Sequence, residues 1–197
     1  MPLWKNLEET VCLKLSNGSG YGSDMSGNIN GHLVITGMMG SGKSTVGPKL
    51  AAVLSRPFYD LDDEIVSTTG MAIPEIFERY GEQVFRKWEL EKLDYMLSRP
   101  VPQVLALGGG TLADERAFAL LRGHCVIWLE GSTEELWQRV RSSGRPLVQR
   151  GLEAFRRMHE ERRTAYTKAA TFQFDCSQEP DVIVRMIVQT LGADGDE

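Results

Sequence analysis

Gly37-Met38-Met39-Gly40-Ser41-Gly42-Lys43-Ser44-Thr45 forms a complete G-x-x-x-x-G-K-[ST] loop, preceded by the apolar run Leu33-Val34-Ile35 and followed by a helical pattern. Glycines at these offsets let the backbone curl so that successive N–H groups point inward at phosphate oxygens, and the next helix adds the positive end of its dipole. A lysine in the place of Lys43 bridges the outer phosphates, and a hydroxyl in the place of Ser44 ligates Mg2+. Strand before and helix after are the context the motif requires. The stretch therefore implies a grip on a nucleoside triphosphate, with Gly40, Ser41, Gly42, Lys43, Ser44 and Thr45 around its phosphates.

Outward from the loop, short β-type runs at 33–36, 58–60, 104–107, 126–129 and 172–174 alternate with longer amphipathic stretches. This is a βαβ rhythm, and several runs lack polar alternation, as strands covered on both faces do. The expected fold is α/β: a three-layer P-loop architecture with a five-stranded parallel sheet flanked by helices, and ligands at the carboxyl ends of the strands. Pro48, a few residues into the helix after the loop, is expected to bend its axis.

The 197 residues suffice for one domain with a proper core. Residues 16–30 are rich in glycine, serine and asparagine and read as a flexible linker. Residues 1–15 mix apolar and charged positions and suit either a short helix or an added strand. The chain thus divides into an N-terminal extension over 1–30 and a folded domain over 31–197. A net charge of −5 argues against general nucleic-acid binding. Basic character is local: between Arg139 and Arg163 there are eight arginines, no lysine and three acids. Cys12, Cys125 and Cys176 lack metal or redox spacing, which speaks against disulfides and zinc. His32, His124 and His159 are scattered and read as strand-end or helix-surface residues. No run is long and apolar enough to span a membrane, and the N-terminus lacks a basic flank followed by an apolar stretch, so the cytoplasm is the expected address.

Four further groups carry chemistry. The second strand ends in Tyr59-Asp60-Leu61-Asp62-Asp63, where Asp60 and Asp62 are expected to point the same way at the phosphate edge of the sheet. Asp60 suits a water on Mg2+, and Asp62 suits a substrate hydroxyl whose proton it receives. Asp63 reads as the cap of a helix starting near Glu64. Arg86 and Glu89, three apart, share a helical face; alone they read as a surface ion pair of little energetic consequence. Gly108-Gly109-Gly110 at the third strand's end allows backbone to approach a ligand closely. Gly144-Arg145-Pro146-Leu147, followed by a helical stretch over 152–168, offers arginine for planar recognition of phosphate or carboxylate; Arg150, Arg156, Arg157 and Arg163 read as solvated face.

In order and spacing these residues resemble the shikimate kinases, P-loop enzymes of the nucleoside-monophosphate-kinase-like class, over about residues 32–190. The resemblance implies transfer of the γ-phosphoryl of MgATP to the 3-hydroxyl of shikimate, with Mg2+ as cofactor, ATP and shikimate as small-molecule partners, and a monomer. It implies that Lys43, Asp62 and Arg145 are catalytic, and that Ser44 and Asp60 serve the metal. Arg86, within Phe85-Arg86-Lys87-Trp88-Glu89, would bind the shikimate carboxylate together with Arg162, and Asp62 and Gly108, Gly109 and Gly110 would contact the same substrate. Arg145 would cover ATP from a lid over about 142–154, while Arg139 and Gln178 would lie on the nucleotide side. Two other readings compete: a related small-molecule kinase such as a gluconate kinase, and a nucleotide-binding regulatory module without transfer chemistry.

Overall fold

The computed structural model describes residues 13–14, 31–143 and 146–192. The linker expected over 16–30, and Arg145, lie outside the described residues. The central strand β2 (Leu33–Thr36) is wholly buried and has no polar face, which only a strand covered on both sides tolerates. Strands β3 (Phe58–Asp60), β4 (Val104–Ala106), β5 (Cys125–Glu130) and β6 (Phe172–Asp175) complete five parallel strands. A two-residue strand β1 (Leu13–Lys14) adds antiparallel to β6; the rest of the 1–15 segment, for which a short helix or an added strand was expected, lies outside the described residues. Among the described residues the sheet order is β1-β6-β5-β2-β4-β3.

From β2 the chain moves outward to β3 and returns to β4, then crosses to β5 and β6 on the other side of β2. A crevice opens at the carboxyl ends where the direction reverses, and this is where such sheets bind ligands. Helix α1 (Lys43–Val53) follows β2 and packs on β4 and on α8 (Pro180–Thr190). Pro48 lies inside α1, as expected. Between β3 and β4 run α2 (Leu61–Thr69) and α3 (Ile73–Leu97), the latter broken at Gly81, whose φ of 78° and ψ of 169° are not helical. A 3-10 turn (Thr111–Ala113) and α4 (Arg116–Leu120) precede β5; α5 (Thr133–Val140), α6 (Pro146–Gln149) and α7 (Leu152–Ala169) lie between β5 and β6.

The core joins both sides of the sheet, with Trp128, Tyr166, Phe155 and Phe174 its largest fully buried side chains. His32 and His124 stand just before β2 and β5, as expected of strand-end residues. His159 departs from its expected place on a helix surface. It is buried on α7, and its Nδ1 lies 2.9 Å from Thr133 Oγ1 at the start of α5, so a polar partner on a neighbouring helix repays its removal from water.

Gly47 marks the closest approach of α1 to the sheet: a Cβ there would overlap the Phe58 ring. Gly47→Ala is expected to destabilise the protein by about 1–3 kcal/mol despite alanine's better helix propensity, as measured by urea denaturation.

Candidate active site

Four chain segments meet at the carboxyl edge of the sheet. The loop after β2 turns through Gly40 (φ 86°) and Gly42 (φ 91°), left-handed conformations that a side chain would strain, and Gly42 leads directly into α1. Lys43 turns toward the loop and donates from Nζ to Gly37 O (2.7 Å) and Met38 O (3.2 Å). Beside the loop is a cavity of about 480 Å3 lined by Gly40 through Val46 and, on its far wall, by Arg139, Val140, Cys176, Ser177 and Gln178. Arg139 is fixed there by donating from Nη2 to Cys176 O (2.8 Å) and from Nη1 to Gly40 O (3.2 Å). All the sequence-predicted phosphate residues line this cavity, and Arg139 and Gln178 join them.

A second cavity, of about 370 Å3, adjoins the first and shares Met39, Lys43 and Ser44 with it. Its walls carry Asp60, Asp62, Arg86, Glu89, Gly108, Gly109, Gly110 and Arg162, which brings together every residue assigned from sequence to the metal and the acceptor. The hydrophobic part of the wall, Ile73, Phe77, Leu107 and Phe85, was not foreseen; these residues carry no polar signal and read equally well as core.

The two aspartates reach this cavity by a route other than strand alternation. Asp60 ends β3 and caps α2, its Oδ1 accepting from the Asp62 amide (3.0 Å), so the helix begins at Leu61 and not near Glu64. Asp60 thus takes the capping role expected of Asp63, and Asp62 sits in the first helical turn. Burial is the largest cause raising the Asp60 carboxyl above the usual range. Asp62 is pushed up to about 6, first by burial, then by the charges of Asp60 and Glu89, with Lys43 opposing.

The expected surface ion pair is buried. Arg86 Nη1 donates to Glu89 Oε2 at 2.6 Å, with Glu89 only 1 % exposed, and Arg86 Nη2 reaches Glu82 Oε1 at 3.3 Å. Desolvation opposes the charge of Arg86, but Glu89 and Glu82 together outweigh it and raise its pKa. A side chain at Gly110 would meet Nη2 of Arg86 at 2.8 Å and Nη2 of Arg162 at 3.2 Å. The two guanidinium forks therefore converge on one bare stretch of backbone, a geometry suited to a carboxylate held from both sides. Tyr166, one turn beyond Arg162 on α7, donates from its hydroxyl to Gly109 O (2.7 Å) and pins the glycine segment to that helix.

Comparison with known proteins finds shikimate kinases at the level of family and fold. The family model for shikimate kinase matches residues 39–192. A shikimate kinase of Aquifex aeolicus is 37% identical over 161 residues, covering 81% of this chain and 95% of that protein. A solved structure, the shikimate kinase of Acinetobacter baumannii in complex with shikimate, superposes with a TM-score of 0.77 at 32% identity, covering 84% of this chain and 96% of the other. A gluconokinase from Sinorhizobium meliloti reaches a TM-score of 0.54 at 20% identity over 84% of this chain and 93% of its own, a likeness of fold alone.

Crowding of carboxylates at this site has a cost that folding must bear. The carboxyl of Asp62 is raised in the folded protein to about 6 from 3.8, so its ionisation destabilises the fold progressively between those values and fully above pH 6, and not at all below pH 3.8. Asp62→Asn is expected to stabilise the ligand-free protein at pH 7.5 by on the order of 2 kcal/mol, the gain vanishing near pH 4. Paired denaturation curves at the two pH values measure it.

Proposed function

The chain belongs to the shikimate kinase family, and from that premise we propose that its two adjoining cavities take MgATP and shikimate, with transfer of the γ-phosphoryl group to the 3-hydroxyl to give shikimate 3-phosphate and ADP. The observation that carries this reading is the shared wall: Met39, Lys43 and Ser44 line both the phosphate-loop cavity and the cavity holding Asp62, Arg86 and Arg162. A triphosphate whose outer end lies at Lys43 faces an acceptor held beside Asp62, as in-line transfer requires.

Residue roles follow from position and charge. The loop amides and Lys43, exchanging its present carbonyl partners for phosphate oxygens, neutralise charge on the transferring group. Arg139 and Gln178 border the nucleoside side. Ser44 and Asp60 offer a hydroxyl and a carboxylate on the same cavity wall, hard oxygen donors that fit Mg2+, which also takes phosphate oxygens and water. The ion, when bound, supplies charge neutralisation between the outer phosphates. Arg86 and Arg162 clamp the acceptor's carboxylate against Gly110.

Asp62 aligns the acceptor hydroxyl and takes its proton as the new O–P bond forms and the bond from phosphorus to the bridging oxygen of ADP breaks. A carboxyl near 6 is ionised at neutral pH yet more basic than an ordinary aspartate, which suits that task. Water entering the crevice competes for the same phosphoryl group, so a well-seated carboxylic acid also protects against hydrolysis.

The reading is tested by ADP release in the presence of a panel of hydroxy acids: turnover with shikimate and none with gluconate is the expected result, and no ADP release with shikimate overturns it. Lys43→Met and Asp62→Asn are each expected to lower kcat by about 100-fold or more, with ATP binding changed much less by the second. The wild-type kcat/KM for shikimate should fall below about pH 6, on protonation of Asp62. Arg86→Ala is expected to raise KM for shikimate by about 30-fold or more with little change for ATP, in steady-state titrations of each substrate.

A further inference from the structure

Thr111 lines neither cavity, yet its hydroxyl is wired to both ends of the acceptor site. It is fully buried at the start of the 3-10 turn that follows the three glycines. Its Oγ1 lies 2.7 Å from Glu89 Oε1 and 3.0 Å from Gly108 O. A hydroxyl has one proton to give. Gly108 O already accepts from the Thr111 amide at 3.2 Å, and the carboxylate is both nearer and charged, so the proton goes to Glu89. The two oxygens of Glu89 are thereby divided, Oε2 to Arg86 and Oε1 to Thr111.

A side chain at Gly108 would meet Asp62 Oδ1 at 2.6 Å and both Glu89 Oε1 and Thr111 Oγ1 at 3.2 Å. Three oxygens thus crowd one glycine, and the Glu89 oxygen that Thr111 holds is the one beside Asp62. We propose that Thr111 is a positioning residue for the phosphoryl acceptor: its hydroxyl locks Glu89 in the orientation that both anchors Arg86 and faces Asp62. The inference rests on the roles given above to Arg86 and Asp62 and extends them to a residue that touches neither substrate.

Without that hydroxyl a buried carboxylate oxygen loses its donor, and Glu89 turns to find another. Arg86 then shifts from Gly110, and one negative charge leaves the neighbourhood of Asp62. The other charges facing Asp62 do not depend on Thr111: Asp60 and Asp63 lie in its own turn, Lys43 in α1, and Arg162 across the cavity on α7. Removing the hydroxyl therefore loosens the acceptor side of the site while leaving the nucleotide cavity intact.

The test compares Thr111→Val, which keeps the volume, with Thr111→Ser and Thr111→Ala, which both lose the methyl group but differ in the hydroxyl. Thr111→Val and Thr111→Ala are expected to raise KM for shikimate about tenfold, the size of one hydrogen bond to a charged group, with KM for ATP within about twofold of wild type. Thr111→Ser stays within about twofold for both substrates. In the ligand-free protein, 15N NMR of the arginine side chains should show the Arg86 guanidinium signal shifted in Thr111→Val and Thr111→Ala and unmoved in Thr111→Ser. Serine as impaired as alanine, or valine with wild-type KM and an unmoved Arg86 signal, overturns the proposal; if valine does not fold, the serine and alanine pair decides alone. The NMR readout needs no turnover, so a wild-type protein inactive on shikimate sinks the functional reading while the Arg86 signal still decides whether Thr111 holds Glu89 in place.

Discussion

Everything at this site depends on strands that run the same way and end nearly level. Ile35 of β2 and Asp60 of β3 both pair with Ala106 of β4, while Thr36 pairs with Trp128 of β5 and Glu130 with Asp175 of β6. Parallel pairing makes each connection cross over the sheet and return, so every strand delivers its following segment to the same edge. The phosphate loop after β2, Asp60 and Asp62 after β3, and the three glycines after β4 are thus brought together although up to seventy-odd residues of chain separate them. The apolar strands that make this possible are stable only because helices cover both faces.

The edge gathers charges that would not gather unaided. Asp60, Asp62 and Glu89 share one cavity with Lys43, Arg86 and Arg162. Glu89 is held by Arg86 on one oxygen and by Thr111 on the other; Asp62, buried and with other carboxylates near it, bears the frustration as a raised proton affinity. Most other ion pairs are of a different kind: Lys49 with Asp181 and Lys87 with Glu91 are exposed and contribute little to stability. In the role proposed for Asp62, function and stability pull apart, the charge that would take a proton being the one the fold would rather lose.

Much of this was legible without coordinates. The loop, the five parallel strands to within a residue or two at their ends, the aspartates and the glycines follow from local pattern and spacing, because each is written in contiguous residue types with a strong physical preference; Arg86 as a substrate residue, and Arg162, came only through the resemblance to the family. Three readings changed in three dimensions. Asp62 was placed by strand alternation, but the strand ends at Asp60 and the next residue is already helical, since the Asp60 side chain satisfies the amide of Asp62. The Arg86–Glu89 pair, which taken alone reads as a surface ion pair and was assigned to substrate only through the family resemblance, has its Glu89 fully buried, because helical spacing says which face two residues share and not what covers that face. His159 was misread for the same reason, its cover being the start of α5.

Thr111 and the apolar wall of the acceptor cavity left no mark in the chain that reading could isolate; a threonine after glycines and phenylalanines on a helix are ordinary. Sequence by itself determined the phosphate grip, the α/β plan and the aspartate pair after the second strand, because these depend on short-range backbone chemistry and on hydrophobic periodicity; the arginines were named through the resemblance. Tertiary structure alone decided which of those groups are buried and who their partners are, and hence how strongly each holds its proton. Desolvation and pairing depend on what packs against a residue from distant parts of the chain, and no local pattern encodes that.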